Sequence, residues 1–386
     1  MKENRRSLLL FPLINLFYWS SIYLYTPTLS TYAAANGASG QMVGMIIGSF
    51  GLTQMIFRLP FGVLSDRLRR RKVFVCIGML GVGLGGLIAG LVPSSGGLLA
   101  ARCMTGFGAS SWVTTTVLFS SYYPPDKTDQ AVSLLNAYCS LATVLAMLLG
   151  GWFVQLWGQE ATSLLAALCG LAAFLLTLGI DDHRPEPTHP LNKADVKYVL
   201  TDKNLWHFAI LALVFQFVWQ GTVSCFTPIL AQRFGVTSSQ LGSMTAVGNL
   251  GHLIASAAIG IYLLPKLPAK WTFGVGYILE ALIVIATAFS TAYWMMLVLQ
   301  FLSGVIGYSL FLCALTLCVR EMPDAYRGIA VGMSQAIYGG GMFLGPTCMG
   351  QLLNLMTLEQ SYIAVGVLCV AAALVGWKWA AAAGKR

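Results

Sequence analysis

Long apolar runs separated by short polar breaks make up almost the whole chain. They fall near residues 7–28, 41–61, 73–92, 97–120, 131–156 and 160–180, and again near 205–231, 240–263, 271–289, 292–319, 328–353 and 361–380. Each is close to the roughly 20 residues that a helix needs to cross a hydrocarbon layer. The apolar residues are continuous rather than alternating, which predicts helices and not the strands of a barrel. The pattern therefore predicts an all-α membrane protein with twelve transmembrane helices. One polar stretch, Asp181–Lys203, is longer than the other breaks. It divides the chain into an N-terminal six-helix bundle over 1–182, a cytoplasmic linker over 183–203 and a C-terminal six-helix bundle over 204–386.

Composition agrees with that pattern. Hydrophobic residues make up 57% of the 386 and charged residues only 10%, where an ordinary globular chain carries about 25% charged. A net charge of +9 could point to nucleic acid, but the distribution of the cations argues otherwise. With the N-terminus inside, the cytoplasmic segments hold Lys2, Arg5, Arg6, Arg67, the run Arg69–Lys72, Lys127, Arg184, Lys193, Lys197, Lys203, Lys266, Lys270, Arg320, Arg327, Lys378, Lys385 and Arg386. The opposite side holds Arg233. This is the positive-inside asymmetry, so the charge reports topology, with both termini cytoplasmic, and not a nucleic-acid partner. Lys2 to Arg6 could open a signal peptide, but the apolar run behind them is longer than the usual h-region and reads as a retained first span. The nine cysteines fall in the apolar runs without metal-like spacing, and no disulfide framework or resident metal is expected.

The two halves are related in sequence. Thr26, Pro27, Thr28 and Leu29 recur as Thr227, Pro228, Ile229 and Leu230. Gly37 and Ser39, followed by Val43 and Gly44, recur as Gly235 and Thr237, followed by Leu241 and Gly242, at an offset of 198. The same offset brings Gly62 onto Gly260, Gly106 onto Gly304, Pro125 onto Pro323 and Asp126 onto Asp324. An internal duplication of six spans gives two halves of the same orientation, the architecture of many secondary transporters, which rock about a midplane site. The register also exposes differences, with Arg102 opposite Gln300, Gln54 opposite His252 and Asp66 opposite Leu264.

Between the second and third spans lies a short charged break in which Asp66 stands among Arg67, Arg69, Arg70, Arg71 and Lys72. An acid at the carbonyl end of a helix is unfavourable unless cations compensate it. Together with Gly62 and Leu64, the residues Asp66, Arg67, Arg70 and Arg71 resemble the hairpin signature of the major facilitator superfamily, with Arg69 in place of its usual second glycine. Arg102, Thr105, Gly106 and Gly108 are similar to that family's fourth-span motif, with Thr for Gln. The resemblance covers the whole chain. It implies that Asp66 bonds across to the other bundle in one state and releases it when the gate opens. The bland alternative is that the cluster only anchors topology.

Of the ionisable residues inside predicted spans, where a charge is costly and marks function by default, Arg58, Arg102, His252 and Glu280 bear most on function. Arg102 either faces a polar cavity or snorkels outward, while Arg58 is expected to snorkel to the cytoplasm. Glu280, midway through the ninth span, could carry a proton or form a neutral structural bond. His252 in the eighth span is the other titratable candidate, or a satisfied structural histidine. Asn15, Tyr18, Trp19 and Tyr23 in the first span, and Gln216, Trp219 and Gln220 in the seventh, are matched polar and aromatic sets. With Gln54, Arg102, Trp112, Asn136, Asn249, Tyr308, Gln335 and Tyr338, they are the candidate contacts for a partly apolar organic solute. Ordinary packing or an interfacial belt is the alternative for each.

Gly339–Pro346 reads as a close-packed, bendable piece of the eleventh span. The exporter motif of the family's fifth span is reduced here to Gly150 and Gly151, and the first span has no acid; both weaken a drug/proton antiporter reading. No nucleotide-binding loop or hydrolytic set is present, so no cofactor is expected. A sensor would need a soluble domain, and a membrane-embedded enzyme would need a converging catalytic set. The resulting expectation is a monomeric transporter of the bacterial inner membrane. It carries a small anionic, zwitterionic or neutral amphipathic solute, with proton-coupled efflux ahead of proton-coupled uptake of an organic anion. A lipid flippase or scramblase is the remaining alternative.

Overall fold

The computed structural model describes residues 4–124, 127–182, 193–258 and 266–383. All regular structure among the described residues is helical, and each of the twelve predicted spans contains helix among its described residues. In hydrocarbon a backbone must satisfy its polar groups within its own segment, so each apolar run becomes a helix. The linker residues 183–192, the counterparts Gly260 and Leu264, and Pro125 and Asp126 lie outside the described residues.

In the first half, α1 (Asn4–Tyr23) and α2 (Leu29–Ala35) make one broken span. The break falls at Pro27, which cannot donate a helical bond. The second and third spans are α3 (Gly40–Leu68) and α4 (Arg71–Leu91). The fourth is α5 (Ser95–Ala109), whose N-cap Ser94 accepts a bond from the Gly97 amide, followed by α6 (Trp112–Ser120). The fifth and sixth spans run together as α7 (Thr128–Leu178), which is interrupted at Gly158 (φ 84°, ψ 170°). Only glycine takes that backbone without strain, and the sequence expectation of a break between 156 and 160 falls there. A short α8 (Lys193–Thr201) leads into the second half.

The seventh span is the least regular. It comprises α9 (Lys203–Val218), a π-helical stretch Trp219–Phe226, α10 (Thr227–Ala231) and a 3₁₀ turn Gln232–Phe234. Then follow α11 (Ser238–Ile254), α12 (Ala269–Ala288), α13 (Tyr293–Val319), α14 (Asp324–Leu352) and α15 (Leu358–Ala383). Seven of the described helical segments, the composite seventh span among them, are long and apolar enough to cross a membrane. Most of the other spans are broken into shorter pieces, as α1–α2 and α5–α6 show, or share α7. The duplication is visible in packing: α4 packs on α5 and on α7, and α12 packs correspondingly on α13 and on α15.

The chain forms two compact units. One comprises 1–36, 52–190 and 237–246; the other comprises 37–51, 191–236 and 247–386. The first part of α3 is therefore built into the second unit, and the first part of α11 into the first. Glycines make this fit. Gly40, Gly44, Gly48 and Gly51 form one stripe of α3 packed against the end of α14 and the Leu353 that caps it, and a Cβ on Gly44 would lie 2.2 Å from the Pro346 carbonyl oxygen. In α11, Gly242 lies against Gly151, where a Cβ on Gly151 would be 2.7 Å from the Gly242 Cα. Helices that cannot use the hydrophobic effect against lipid associate through this kind of backbone approach.

Candidate functional site

Between α3 and α4 the chain turns at Arg69, whose φ of 52° is the only positive value at a non-glycine residue among those described. The turn needs the left-handed conformation that the family's glycine takes freely, and this chain reaches it with an arginine at a steric cost. Arg71 begins α4 and turns back to Asp66, its Nη2 3.0 Å and its Nε 3.3 Å from Oδ1. Arg71 is buried, while half of the Asp66 side chain is exposed. Arg67 and Arg70 are exposed, as is Leu64, and Gly62 is half-buried. Lys72 closes the corner. Its amide donates to Asp182 Oδ1 at 3.1 Å, and its Nζ donates to the carbonyls of Leu178 and Ile180, where the end of α7 is partly negative. The Asp181 carboxylate accepts in turn from the Ser7 hydroxyl.

A polar aromatic cluster forms inside the first unit. Trp19 Nε1 donates to Asn15 Oδ1 at 3.0 Å, leaving the Asn15 amide NH2 buried without a hydrogen-bond partner among the described residues. The Trp19 ring stacks on Tyr23 at 5.7 Å and meets Trp112 edge-on at 5.0 Å; Tyr18 lies nearly parallel to Trp112. Tyr18 is fully buried, and its hydroxyl donates to the Gly108 carbonyl at 3.4 Å. Arg58 does not behave as a snorkelling residue. Its Nη2 donates to Gln54 Oε1 at 2.7 Å, and it lies near Tyr18. The i, i+4 spacing of Gln54 and Arg58 was the available sequence signal. Arg102 is 3% exposed, so its side chain lies within the unit, as a residue facing a polar interior would. Three residues on, Thr105 donates to the Ala101 carbonyl and bonds the Tyr25 hydroxyl at 3.0 Å. Asn136 is exposed on α7, away from any bond of this cluster.

A second cluster forms inside the other unit. His252 on α11 lies between Trp219, 4.0 Å away, and Tyr308, 4.5 Å away and close to parallel. Phe215 approaches the same imidazole, and Phe311 joins Tyr308 to Tyr338. His252 Nε2 is buried without a hydrogen-bond partner among the described residues, as are Gln216 Oε1 and Gln335 Oε1. Gln220 and Asn249 are half-buried in the same spans. Buried polar atoms are almost always satisfied, so the orphaned imidazole nitrogen between two rings is chemically able to bond a polar group brought from outside. Glu280 stands apart on α12. It is 1% exposed and accepts from the Ser303 hydroxyl at 2.5 Å.

A duplicated bundle of apolar helices, with a polar aromatic cluster inside each unit and a charged hairpin between α3 and α4, is the arrangement of a membrane transporter. The family model of the Major Facilitator Superfamily matches residues 13–237 and 220–385, and the chain belongs to that family. It is 27% identical to the inner membrane transport protein YajR of Escherichia coli over 91% of this chain and 78% of that protein. It is 23% identical to the quinolone resistance protein NorA of Staphylococcus aureus over 90% of this chain and 89% of that one. In fold it is similar to a bacterial homologue of the human lysosomal transporter Spinster, solved inward-facing and unoccupied. That match has a TM-score of 0.79 and 18% identity, and covers 97% of each chain. The protein is therefore an integral membrane transporter of small solutes.

The glycine stripe of α3 was missed in the sequence reading. Its signal was legible: Gly40, Gly44, Gly48 and Gly51 recur at helical spacing.

Proposed function

We propose that the protein exports a small amphipathic organic solute by alternating access, driven by protons returning through Glu280 or His252. The observation that carries the reading is the pair of orphaned polar atoms beside aromatic rings, Asn15 Nδ2 next to Trp19 and His252 Nε2 between Trp219 and Tyr308, with Gln216 Oε1 and Gln335 Oε1 also buried without a partner among the described residues. Such surfaces bind flat, partly polar solutes through stacking and a few directed bonds. Both clusters take part in recognition, and Arg102 with Arg58 favours neutral, zwitterionic or anionic cargo over cations. The likeness to NorA, whose name records quinolone resistance, supports export. The Asp66–Arg71 pair acts in gating. The protein works as a monomer in the bacterial inner membrane, with both termini in the cytoplasm.

A second reading, proton-coupled uptake of an organic anion, draws on the buried guanidinium of Arg102. Proteoliposomes with an imposed proton gradient separate the two. Internal pH is followed as pools of candidate solutes are added to wild type, Arg102→Ala and Glu280→Gln. Solute-dependent proton movement that is lost in Glu280→Gln supports coupling, and its sign assigns export or uptake. Solute binding with no proton movement in any pool overturns the coupled reading and leaves uniport, sodium coupling or lipid transport.

A further inference from the structure

The two halves differ where the third and fourth spans of each one cross. In the first half the crossing is closed by glycines. A Cβ on Gly78 would run into the Ser111 hydroxyl, and one on Gly81 would lie 2.9 Å from the Gly108 Cα. The offset of 198 carries Gly81 to Leu279 and Gly108 to Ile306, while Gly78 and Ser111 become Gly276 and Ser309. The second half therefore keeps one close approach, at Gly276, where a Cβ would be 2.7 Å from Leu310 Cδ2. The larger Leu279 and Ile306 hold α12 and α13 apart beside it. Between the two helices is a groove of about 430 Å³, walled by Trp271, Val275, Leu279, Ile306 and Leu310, with Leu267 at one end. Trp271, Val275 and Leu279 are exposed along it, so it opens to the outside of the unit. Sites that hold one organic ligand are of this size, roughly 300–1,000 Å³.

Length and charge select the occupant. Leu267 to Leu279 spans about 18 Å at the helical rise of about 1.5 Å per residue. That is close to half of a hydrocarbon core of roughly 30 Å, the depth of one leaflet. Lys266 stands beside Leu267 at the mouth and is exposed. Arg320, also exposed, follows Ile306, Leu310, Cys313 and Leu317 at i+3 and i+4 steps, and so lies on the groove side of α13. Lys266 comes ten residues before Gly276, and Arg320 ten residues after Leu310. In antiparallel helices both cations therefore lie about 15 Å from that contact, at one level. The stretches 265–279 and 305–320 contain no acid. Glu321, the next one, accepts from the Asn204 side chain, and Lys270 leans over the Trp377 ring. Neither Lys266 nor Arg320 makes an ion pair among the described residues.

We propose that this groove binds one anionic phospholipid, with an acyl chain laid along α12 and α13 and the phosphate between Lys266 and Arg320. Basic residues at the cytoplasmic end of paired helices attract acidic headgroups in this way. A zwitterionic lipid fits the same groove but gains less from the two cations. The assignment to the inner leaflet rests on the cytoplasmic placement of both termini proposed above; binding itself does not depend on it. Ile306 and Ser309 line the groove on either side of Tyr308, whose ring stacks on His252. The lipid thus bears on the turn of α13 that builds the second aromatic cluster.

The test is native mass spectrometry of the full chain in detergent, titrated with phosphatidylglycerol or with phosphatidylcholine of the same acyl chains. Wild type should retain phosphatidylglycerol about tenfold better. Lys266→Gln and Arg320→Gln should each weaken that retention about fivefold, and about 25-fold together, leaving phosphatidylcholine unchanged. Val275→Trp should fill the groove and weaken retention of both lipids. Val367→Trp, on the exposed face of α15, should change neither. Phosphatidylglycerol carrying a mid-chain diazirine should place its adducts on 271–279 and 305–310, read by peptide mass spectrometry. Equal retention of the two lipids overturns the proposal, as does retention indifferent to the double Gln variant. Adducts spread evenly over α4, α12 and α15 overturn it in favour of a general lipid belt. Displacement by a neutral aromatic amphiphile as readily as by unlabelled phosphatidylglycerol overturns it in favour of a slot for apolar solutes.

Discussion

Substituting Gly44 with alanine should act on the conformational equilibrium of the transporter more than on its chemistry. A Cβ at this position would sit 2.2 Å from the Pro346 carbonyl oxygen and 2.8 Å from the carbonyl carbon, whereas ordinary contact begins at 3.4 Å. Both obstacles are backbone, so no rotamer change relieves the clash, and α3 and α14 must part by roughly 1 Å. Overpacking of this kind costs about 1–3 kcal/mol. A conformer that keeps the crossing should therefore lose population about 5- to 150-fold against one in which it is open. Thr347 lies on the same face, its hydroxyl 3.0 Å from where a Cβ of Gly48 would be. A cysteine introduced at Thr347 should then react faster with an aqueous maleimide in Gly44→Ala than with Gly44 intact, read at that peptide by mass spectrometry. Gly96→Ala is the control, since nothing lies within 4 Å of a Cβ there. Equal labelling rates and equal thermal midpoints for Gly44→Ala and Gly96→Ala would refute the view that this glycine stripe holds the crossing.

Other expectations are smaller or more local. Arg69→Gly should raise thermal stability by up to about 1 kcal/mol by relieving a left-handed backbone, while Arg69→Ala should not; equal melting of the two sinks the argument. Asp66→Asn should cost less than about 1 kcal/mol of stability, because the pair with Arg71 is half-exposed, yet cut the initial transport rate about tenfold or more. A large loss of stability with normal transport per folded molecule would make the hairpin an anchor and not a gate. Trp219→Ala should weaken solute binding about tenfold, the worth of one good aromatic contact; calorimetry showing unchanged affinity would remove the second cluster from recognition.

The sequence by itself determined the helical class, the span count and the duplication. These depend on the apolar length of each run and on the absence of backbone partners in lipid, both local properties. It also marked the hairpin, because charge beside apolar runs has few roles. The break at Gly158 was expected from the apolar pattern, and the structure supplied its cause in a positive φ. What the sequence could not decide was which side chains share a space. Arg58 looked like a snorkelling cation until α3 turned it to Gln54 and Tyr18. His252 and Tyr308 are 56 residues apart and become stacked only when α11 packs beside α13. The glycines of α3 showed close packing against something, but only the tertiary structure identified the partner as α14, and so placed the first part of α3 in the second unit. Helix formation depends on residues a few positions apart, whereas these contacts depend on which faces of distant helices fit together.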